Sequence, residues 1–258
     1  MRRLTLALDL LCLMREAAGL PGGELQAALA LGELAGADSI RLGVSEDLRP
    51  VRERDVRDAR HAARSFELRM PPVQSLLKLA LEIRPDRVVL GGENRETRQP
   101  AGPLETRTLA AGLAPFARAL REGGIPIIAL VVPELEAVKA VHAAGCAGVE
   151  LYTGGIVDLP SGERAAAAER LSDAGRLAAK LRLWLALGGG LGYRTLPELL
   201  GAVPAAEGVS VGRACLARAT LVGLDRAVRD LRALVQCLWI ASRSMRAGDL
   251  QMRRCWFL

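Results

Sequence analysis

The chain has 258 residues, of which half are hydrophobic and 3% aromatic, so it can form one large domain or two small ones with a core of Ala, Leu, Val and Ile. Its net charge of +6 arises from 35 Lys and Arg against 29 Asp and Glu. These charges are spread along the chain, which argues against a nucleic-acid partner, as does the scarcity of aromatic residues for base stacking.

Short apolar runs alternate with longer amphipathic runs from one end of the chain to the other. We predict strands at 5–11, 39–44, 66–70, 87–91, 126–132, 148–154, 181–187 and 208–212. We predict helices at 23–35, 54–64, 74–83, 106–122, 134–144, 163–180, 197–203 and 214–235. Eight strand–helix pairs of this size favour an α/β fold of the (β/α)8 (TIM) barrel type over a doubly wound sheet.

The composition changes abruptly near the end of the chain. Residues 1–235 are predicted to form the barrel domain, and residues 236–258 a C-terminal tail of uncertain structure that holds two of the three tryptophans and two of the five cysteines. The segment that opens the chain does not resemble a signal peptide, because Asp9 interrupts its apolar stretch. With no apolar run of about 20 residues, we expect no membrane partner. The odd number of cysteines without CxxC spacing predicts reduced thiols, a cytoplasmic protein and no metal site.

Two glycine-rich turns follow the last two predicted strands. The segment LALGGGLGY (185–193) includes Gly188 to Gly190, and VSVGRA (209–214) opens the last predicted helix. Barrel enzymes often hold a phosphate in the loops after strands seven and eight, where helix amides attract anions. Arg213 adds a fixed positive charge at this edge. The sequence therefore predicts a phosphate site, although barrels also need glycine turns when they bind nothing.

These segments, taken with others, resemble the pyridoxine 5'-phosphate synthase family over residues 3–235. AGADSIRLGVSEDLRPVRERDV (35–56) is similar to a family stretch that runs from A-G-A-D through H-L-R-E-D-R-R-H-I to D-R-D-V. VELYTG (149–154) is similar to the family's I-E-I-H-T-G, LALGGGLGY to V-N-A-G-H-G-L-T-Y, and VSVGRA to L-N-I-G-H-A. Several blocks in one order are specific, whereas any single block would be weak.

The resemblance implies a (β/α)8 barrel with additional helices, assembled as a homo-oligomer (an octamer in the family). It implies condensation of 1-deoxy-D-xylulose 5-phosphate with 3-amino-2-oxopropyl phosphate to give pyridoxine 5'-phosphate, with no metal or organic cofactor. Asp9 matches a substrate-binding position, and Gly190 and Gly212 match phosphate-binding glycines. Arg213 stands where the family has a histidine but keeps a hydrogen-bond donor. Other matching positions are Glu46, Asp47, Arg49, Glu93, Arg95, Glu150, Thr153 and Gly154, several of which we expect to form structural ion pairs.

None of the family's three proton-transfer groups is retained. Gly43 replaces a histidine that accepts a proton, Arg69 a glutamate that accepts a proton, and Gly189 a histidine that donates one. The chain has two histidines, His61 and His142, and both fall in predicted outer helices. Each positioned acid or base is typically worth ~10²–10⁴-fold in rate.

Two hypotheses of different classes follow. The first is a barrel that binds a phosphorylated metabolite, or assembles with an active relative, without catalysis. The second is a working enzyme: either the family synthase with replacement residues, or a different reaction on a phosphorylated metabolite. Candidate replacements at predicted strand ends are Arg69, Glu93, Glu150, Tyr152 and Asp158.

Overall fold

The computed structural model describes residues 1–20, 23–94, 99–100, 102–105 and 112–247. The described strands are β1 Arg3–Ala7, β2 Ser39–Gly43, β3 Phe66–Met70, β4 Arg87–Leu90, β5 Glu93–Asn94, β6 Gln99–Pro100, β7 Ile127–Val131, β8 Gly148–Tyr152, β9 Trp184–Gly188 and β10 Gly208–Val211. Eight of them are parallel and close into a barrel in the order β1-β10-β9-β8-β7-β4-β3-β2, while β5 and β6 form a small antiparallel hairpin. The predicted (β/α)8 barrel is confirmed.

Helices surround the barrel and connect its strands. Those described are α1 Asp9–Ala18, α2 Glu24–Leu34, α3 Glu53–Ala62, α4 Gln74–Ile83, α5 Leu113–Glu122, α6 Leu135–Ala143, α7 Gly154–Val157, α8 Ser161–Lys180, α9 Leu196–Ala202, α10 Arg213–Val222 and α11 Leu224–Ala247. Within this described part, no helix combines the length and the apolarity needed to cross a membrane. Cys12, Cys146 and Cys215 are buried free thiols.

The strands are apolar because both of their faces are buried. Outward-facing residues such as Leu4, Leu42 and Leu68 belong to one large core cluster that includes residues of the surrounding helices. A second, smaller cluster, formed around Ile128 and Leu130, fills part of the barrel interior. Burial on both faces explains why these strands appear in the sequence as nearly continuous apolar runs.

The predicted element boundaries differ most from the structure at three places. The predicted strand 5–11 ends at Ala7, because α1 begins at Asp9. The predicted helix 214–235 is two helices, α10 and α11, which are separated at Gly223 (φ +82°). Of the predicted helix 106–122, α5 accounts for Leu113 onwards, and residues 106–111 lie outside the described part.

The last helix runs through the predicted domain boundary. α11 continues past residue 235 to Ala247, so the first part of the predicted tail extends a helix of the barrel domain. Residues 248–258 lie outside the described part of the chain.

A buried ion pair ties α1 to α3. Arg15 donates two hydrogen bonds to Asp55, at 2.7 and 2.6 Å, and both side chains are largely buried. Burial alone would raise the pKa of Asp55, but the hydrogen bonds from Arg15 and from the Arg52 amide outweigh it and lower that pKa. This pair helps to hold α1, and with it Asp9, against the barrel.

Candidate active site

A cavity of about 660 Å³ opens at the carboxyl ends of the barrel strands. Because parallel strands of a barrel all end on one face, residues distant in sequence meet there. The cavity wall includes nine residues that the sequence singled out: Asp9, Arg69, Glu150, Tyr152, Asp158, Gly189, Gly190, Gly212 and Arg213. Gly43, the third family proton-transfer position, is buried at the end of β2 and is not part of the wall.

A buried charged network, formed by Arg41, Glu67 and Glu150, lies inside the barrel, and Arg41 and Glu150 also line the cavity. Arg41 donates to Glu67 Oε2 from Nε and Nη2 at 3.1 and 2.8 Å, and to Glu150 from Nη1 and Nη2 at 2.9 and 2.6 Å. Burial lowers the pKa of Arg41, but Glu150 and Glu67 outweigh burial and raise it, so Arg41 stays charged.

A second arginine balances the charge of this network. Arg87 lies 3.3 Å from Glu67 and stacks over the ring of Trp184, 4.8 Å from its centroid. Thr5 donates a further hydrogen bond to Glu67 at 3.3 Å. Two arginines and two glutamates therefore compensate each other, and this network leaves no excess charge for a ligand.

Sequence reasoning did not predict this network. Of its three members, the sequence singles out Glu150 alone, as a candidate replacement residue at a strand end. The signal was present: Arg41 and Glu150 each occupy the centre of a strand, and Glu67 is the second residue of β3. Charged residues of opposite sign within three buried strands indicate an ionic network inside the barrel.

The glycine segment after β9 lies close to two neighbouring elements. Gly189 and Gly190 have φ of +78° and +84°, which side chains rarely adopt. A Cβ at Gly190 would lie 3.0 Å from the Gly154 Cα, and a Cβ at Gly189 would enter the ring of Tyr152. Glycine is therefore required at both positions by conformation and by space.

Thr153 donates hydrogen bonds to two carbonyl oxygens of this glycine segment. Its amide donates to Gly188 O at 2.8 Å, and its hydroxyl donates to Gly189 O at 2.5 Å. No hydrogen bond to another described residue satisfies the amide of Gly190. An anion in the cavity is a suitable acceptor for that amide.

The second glycine turn begins a helix at the cavity edge. Gly212 is the N-cap of α10, and Arg213 is its first residue. The first-turn amides of a helix have no partner within the helix, so they favour a negative charge. Arg213 is exposed and has no salt bridge among the described residues. Gly190, Gly212 and Arg213 thus lie on one side of the cavity.

Asp9 and Arg69 lie on the wall at other strand ends. Burial raises the pKa of Asp9, although Arg69, Arg41 and Arg213 oppose this. Burial lowers the pKa of Arg69, and Asp9 opposes it. Arg69 Nη2 donates to Gly102 O at 2.9 Å, and a Cβ at Gly91 would lie 2.8 Å from Arg69 Nε. Gly91 therefore leaves the space that the guanidinium occupies.

Of the other positions that match the family, Asp47 and Arg49 take part in the loop after β2, and Glu46 is exposed. The Ser45 hydroxyl, which has one hydrogen to donate, lies 2.8 Å from Asp47 Oδ1 and 2.5 Å from Arg49 O, and these contacts shape the loop after β2. Glu46 is exposed, and Arg49 lies 3.8 Å from Glu16. Arg95 lies outside the described residues.

The two histidines lie on outer helices, as predicted. His61 is exposed near the end of α3, and His142 is exposed near the end of α6. Neither belongs to the cavity wall.

A closed barrel with a polar cavity at the carboxyl ends of its strands defines the class of (β/α)8-barrel proteins that place their chemistry at that face. Within this class, the family model described as "Pyridoxal phosphate biosynthesis protein PdxJ" matches residues 4–237. The chain belongs to this family, and its function is pyridoxine 5'-phosphate synthase-like.

Two relatives named pyridoxine 5'-phosphate synthase illustrate the match. The protein of Geobacter metallireducens is 33% identical over 238 residues, which cover 92% of this chain and 99% of the relative. The protein of Parasynechococcus marenigrum is 35% identical over 207 residues, which cover 80% of this chain and 83% of the relative.

Solved structures of other proteins share the fold at low sequence identity. Thiamine phosphate pyrophosphorylase from Pyrococcus furiosus is 16% identical with a TM-score of 0.58, covering 92% of this chain and 96% of that one. The alpha subunit of tryptophan synthase from Legionella pneumophila is 16% identical with a TM-score of 0.59, covering 91% and 93%. These similarities concern the fold alone.

Proposed function

We propose that this protein binds a phosphorylated metabolite through Gly190, Gly212 and Arg213, and that the ring-closing condensation of its family is impaired or lost. One observation carries the proposal. Of the family's proton-transfer positions, the two on the cavity wall hold a guanidinium, at Arg69, and no side chain, at Gly189.

The loss of these groups bears directly on the chemistry. Arg69 cannot accept a proton from a substrate, since a guanidinium stays protonated in proteins. Gly189 has nothing to donate. The space for a donor is also filled, because the Tyr152 ring lies where a side chain at position 189 would begin. Ring closure with loss of water requires several proton transfers, so it should be slowed by many powers of ten.

Phosphate binding depends on groups that these replacements leave in place. Main-chain amides and a helix N-terminus bind anions whatever the neighbouring side chains are. Arg213 can donate two parallel hydrogen bonds to phosphate oxygens.

A working enzyme is the second candidate, and one observation favours it. Asp9 faces the cavity with a raised pKa, which brings a carboxyl group nearer to the pH at which it can exchange protons during turnover. Under this alternative, Asp9 replaces a missing acid or base, either for the family reaction or for another reaction on a phosphorylated metabolite.

Turnover separates the two candidates. The purified protein is incubated with 1-deoxy-D-xylulose 5-phosphate and 3-amino-2-oxopropyl phosphate, and pyridoxine 5'-phosphate is quantified by chromatography. The Geobacter metallireducens relative serves as the positive control. We expect calorimetric binding of a phosphate ester with no product above the buffer control.

Product formed at a rate within about a hundredfold of the positive control would refute the proposal and establish the second candidate. In that event, Asp9→Asn should abolish turnover while leaving phosphate-ester binding measurable.

A further inference from the structure

Arg69 differs from the other arginines of the barrel interior because it has no ionic partner. Arg41 and Arg87 both pair with Glu67. Among the described residues, no carboxylate lies within 4.0 Å of the Arg69 guanidinium, and its Nε is buried without a hydrogen-bond partner. A cation removed from water gains most from a counter-ion, which a ligand can supply.

The surroundings of Arg69 fix its position and leave one side open. Gly91 lies against Nε, and the Gly102 carbonyl accepts from Nη2. The side chain also belongs to the cavity wall, and its Nη1 has no hydrogen-bond partner among the described residues. A planar guanidinium held in this way presents paired donors that match a carboxylate.

Arg69 lies opposite the glycine segment across the barrel mouth. In the closed order of eight strands, β3, which bears Arg69, and β9, which precedes Gly189 and Gly190, are four strands apart in either direction. The amides of the glycine side and the guanidinium of Arg69 therefore face one cavity from opposite walls. A ligand with a negative charge at each end would suit both walls.

The charged residues around Arg69 favour a ligand group that carries a single negative charge next to it. Asp9 is near enough to interact electrostatically with Arg69 and already provides some negative potential. The Arg41 network is balanced internally and adds no free positive charge. A monoanion beside Arg69 is therefore better accommodated than a dianion such as a second phosphate.

From this geometry we infer that the ligand is a phosphorylated carboxylic acid, whose phosphate lies on the glycine side and whose carboxylate pairs with Arg69. The inference depends on the proposed phosphate site and adds the chemical class of the ligand. It assigns Arg69 a binding role at a position where the family has a base.

Matched ligands that differ in one group test the inference by titration calorimetry. 3-Phosphoglycerate is compared with glycerol 3-phosphate, and 6-phosphogluconate with glucitol 6-phosphate, so each pair exchanges a carboxylate for an alcohol. We expect at least one acid to bind about ten- to hundredfold more tightly than its alcohol, as for a hydrogen-bonded charge pair.

Two variants assign this preference to a residue. In Arg69→Gln the difference between acid and alcohol should disappear. In Arg64→Gln, which alters an exposed arginine just before the same strand, the difference should persist. The comparison in the unmodified protein stands even if Arg69→Gln fails to fold.

The outcomes separate this inference from the proposed function. If none of the four compounds binds, the phosphate site is absent and the inference fails with it. If acids and alcohols bind equally, the phosphate site stands and the inference is wrong. Tighter binding of propane-1,3-diol bisphosphate than of 3-phosphoglycerate would also overturn it, because the second group would then be a phosphate.

Discussion

Replacing Arg41 with methionine removes the centre of the buried network while keeping a side chain of similar length. Arg41 makes four hydrogen bonds to carboxylates, and the Arg41, Glu67 and Glu150 side chains are 4%, 0% and 1% exposed. Glu67 would keep Arg87 and Thr5 as partners. Glu150 would have no remaining hydrogen-bond partner among the described residues.

These contacts set the loss in free energy of unfolding that we expect for Arg41→Met. Removing one partner of a buried ion pair typically destabilises a protein by about 3–5 kcal/mol, because a buried charge is left uncompensated. At about 2–4 °C per kcal/mol for a domain of this size, the melting temperature should fall by roughly 6–20 °C. The double variant Arg41→Met/Glu150→Gln should recover part of the loss, because it removes the orphaned charge.

Urea denaturation followed by circular dichroism measures these free energies of unfolding. Arg57→Met is the control, since Arg57 forms only exposed ion pairs, with Glu53 and Glu82, and its loss should leave stability nearly unchanged. A loss below about 1 kcal/mol for Arg41→Met would show that water reaches the carboxylates, and the buried network would not stabilise the barrel as we describe.

Four other variants probe the site and its support. Arg213→Ala should weaken binding of a phosphate ester by about 1–3 kcal/mol in calorimetry, the typical value for a charged hydrogen bond. Asp55→Asn should be less stable than the unmodified protein near pH 7. Because the pKa of Asp55 is lowered in the fold, its contribution is present above the unfolded value of about 4 and is lost as pH falls through the folded value, so the two stabilities converge in acid. Asp9→Asn should be more stable than the unmodified protein near pH 7. The pKa of Asp9 is raised by folding, so stability falls as pH rises from about 4 towards that raised value, and the gain disappears in acid. Gly189→His should be destabilising, and adding Tyr152→Ala should restore part of the loss because it removes the ring in the way.

Each of these predictions has an outcome that contradicts it. Unchanged affinity in Arg213→Ala would place the anion elsewhere. A pH-independent difference for Asp55→Asn or Asp9→Asn in urea titrations would mean that the carboxyl groups do not ionise as described. Strictly additive effects of Gly189→His and Tyr152→Ala would show that the two positions do not compete for space.

Much of the fold was predictable because barrel strands and helices differ strongly in pattern. β3 and α4 lie at the predicted residues, since Pro and charged residues lie close to both ends of each. The start of α1 was missed because the apolar run TLALDLL continues from the strand into the helix, and only Asp9 marks the change. A hydrophobic pattern cannot locate a boundary between two elements that are both buried.

The sequence predicts the parts of the site that are formed by main-chain turns. It does not predict contacts that depend on the direction of a side chain. Gly189, Gly190 and Gly212 lie on the cavity wall because parallel strands bring their following turns together. The contact between Tyr152 and Gly189 could not be read from the sequence, since it depends on how β8 and β9 align. Their alignment makes the two departures from the family compatible, because the tyrosine fills the space that a glycine leaves.

A crystal structure of the protein grown with both family substrates tests the central claim most directly. We predict an unreacted phosphate ester in the cavity, with its phosphate on the amides of Gly190 and Gly212 and beside Arg213. An empty cavity, or a closed pyridine ring within it, would contradict the account.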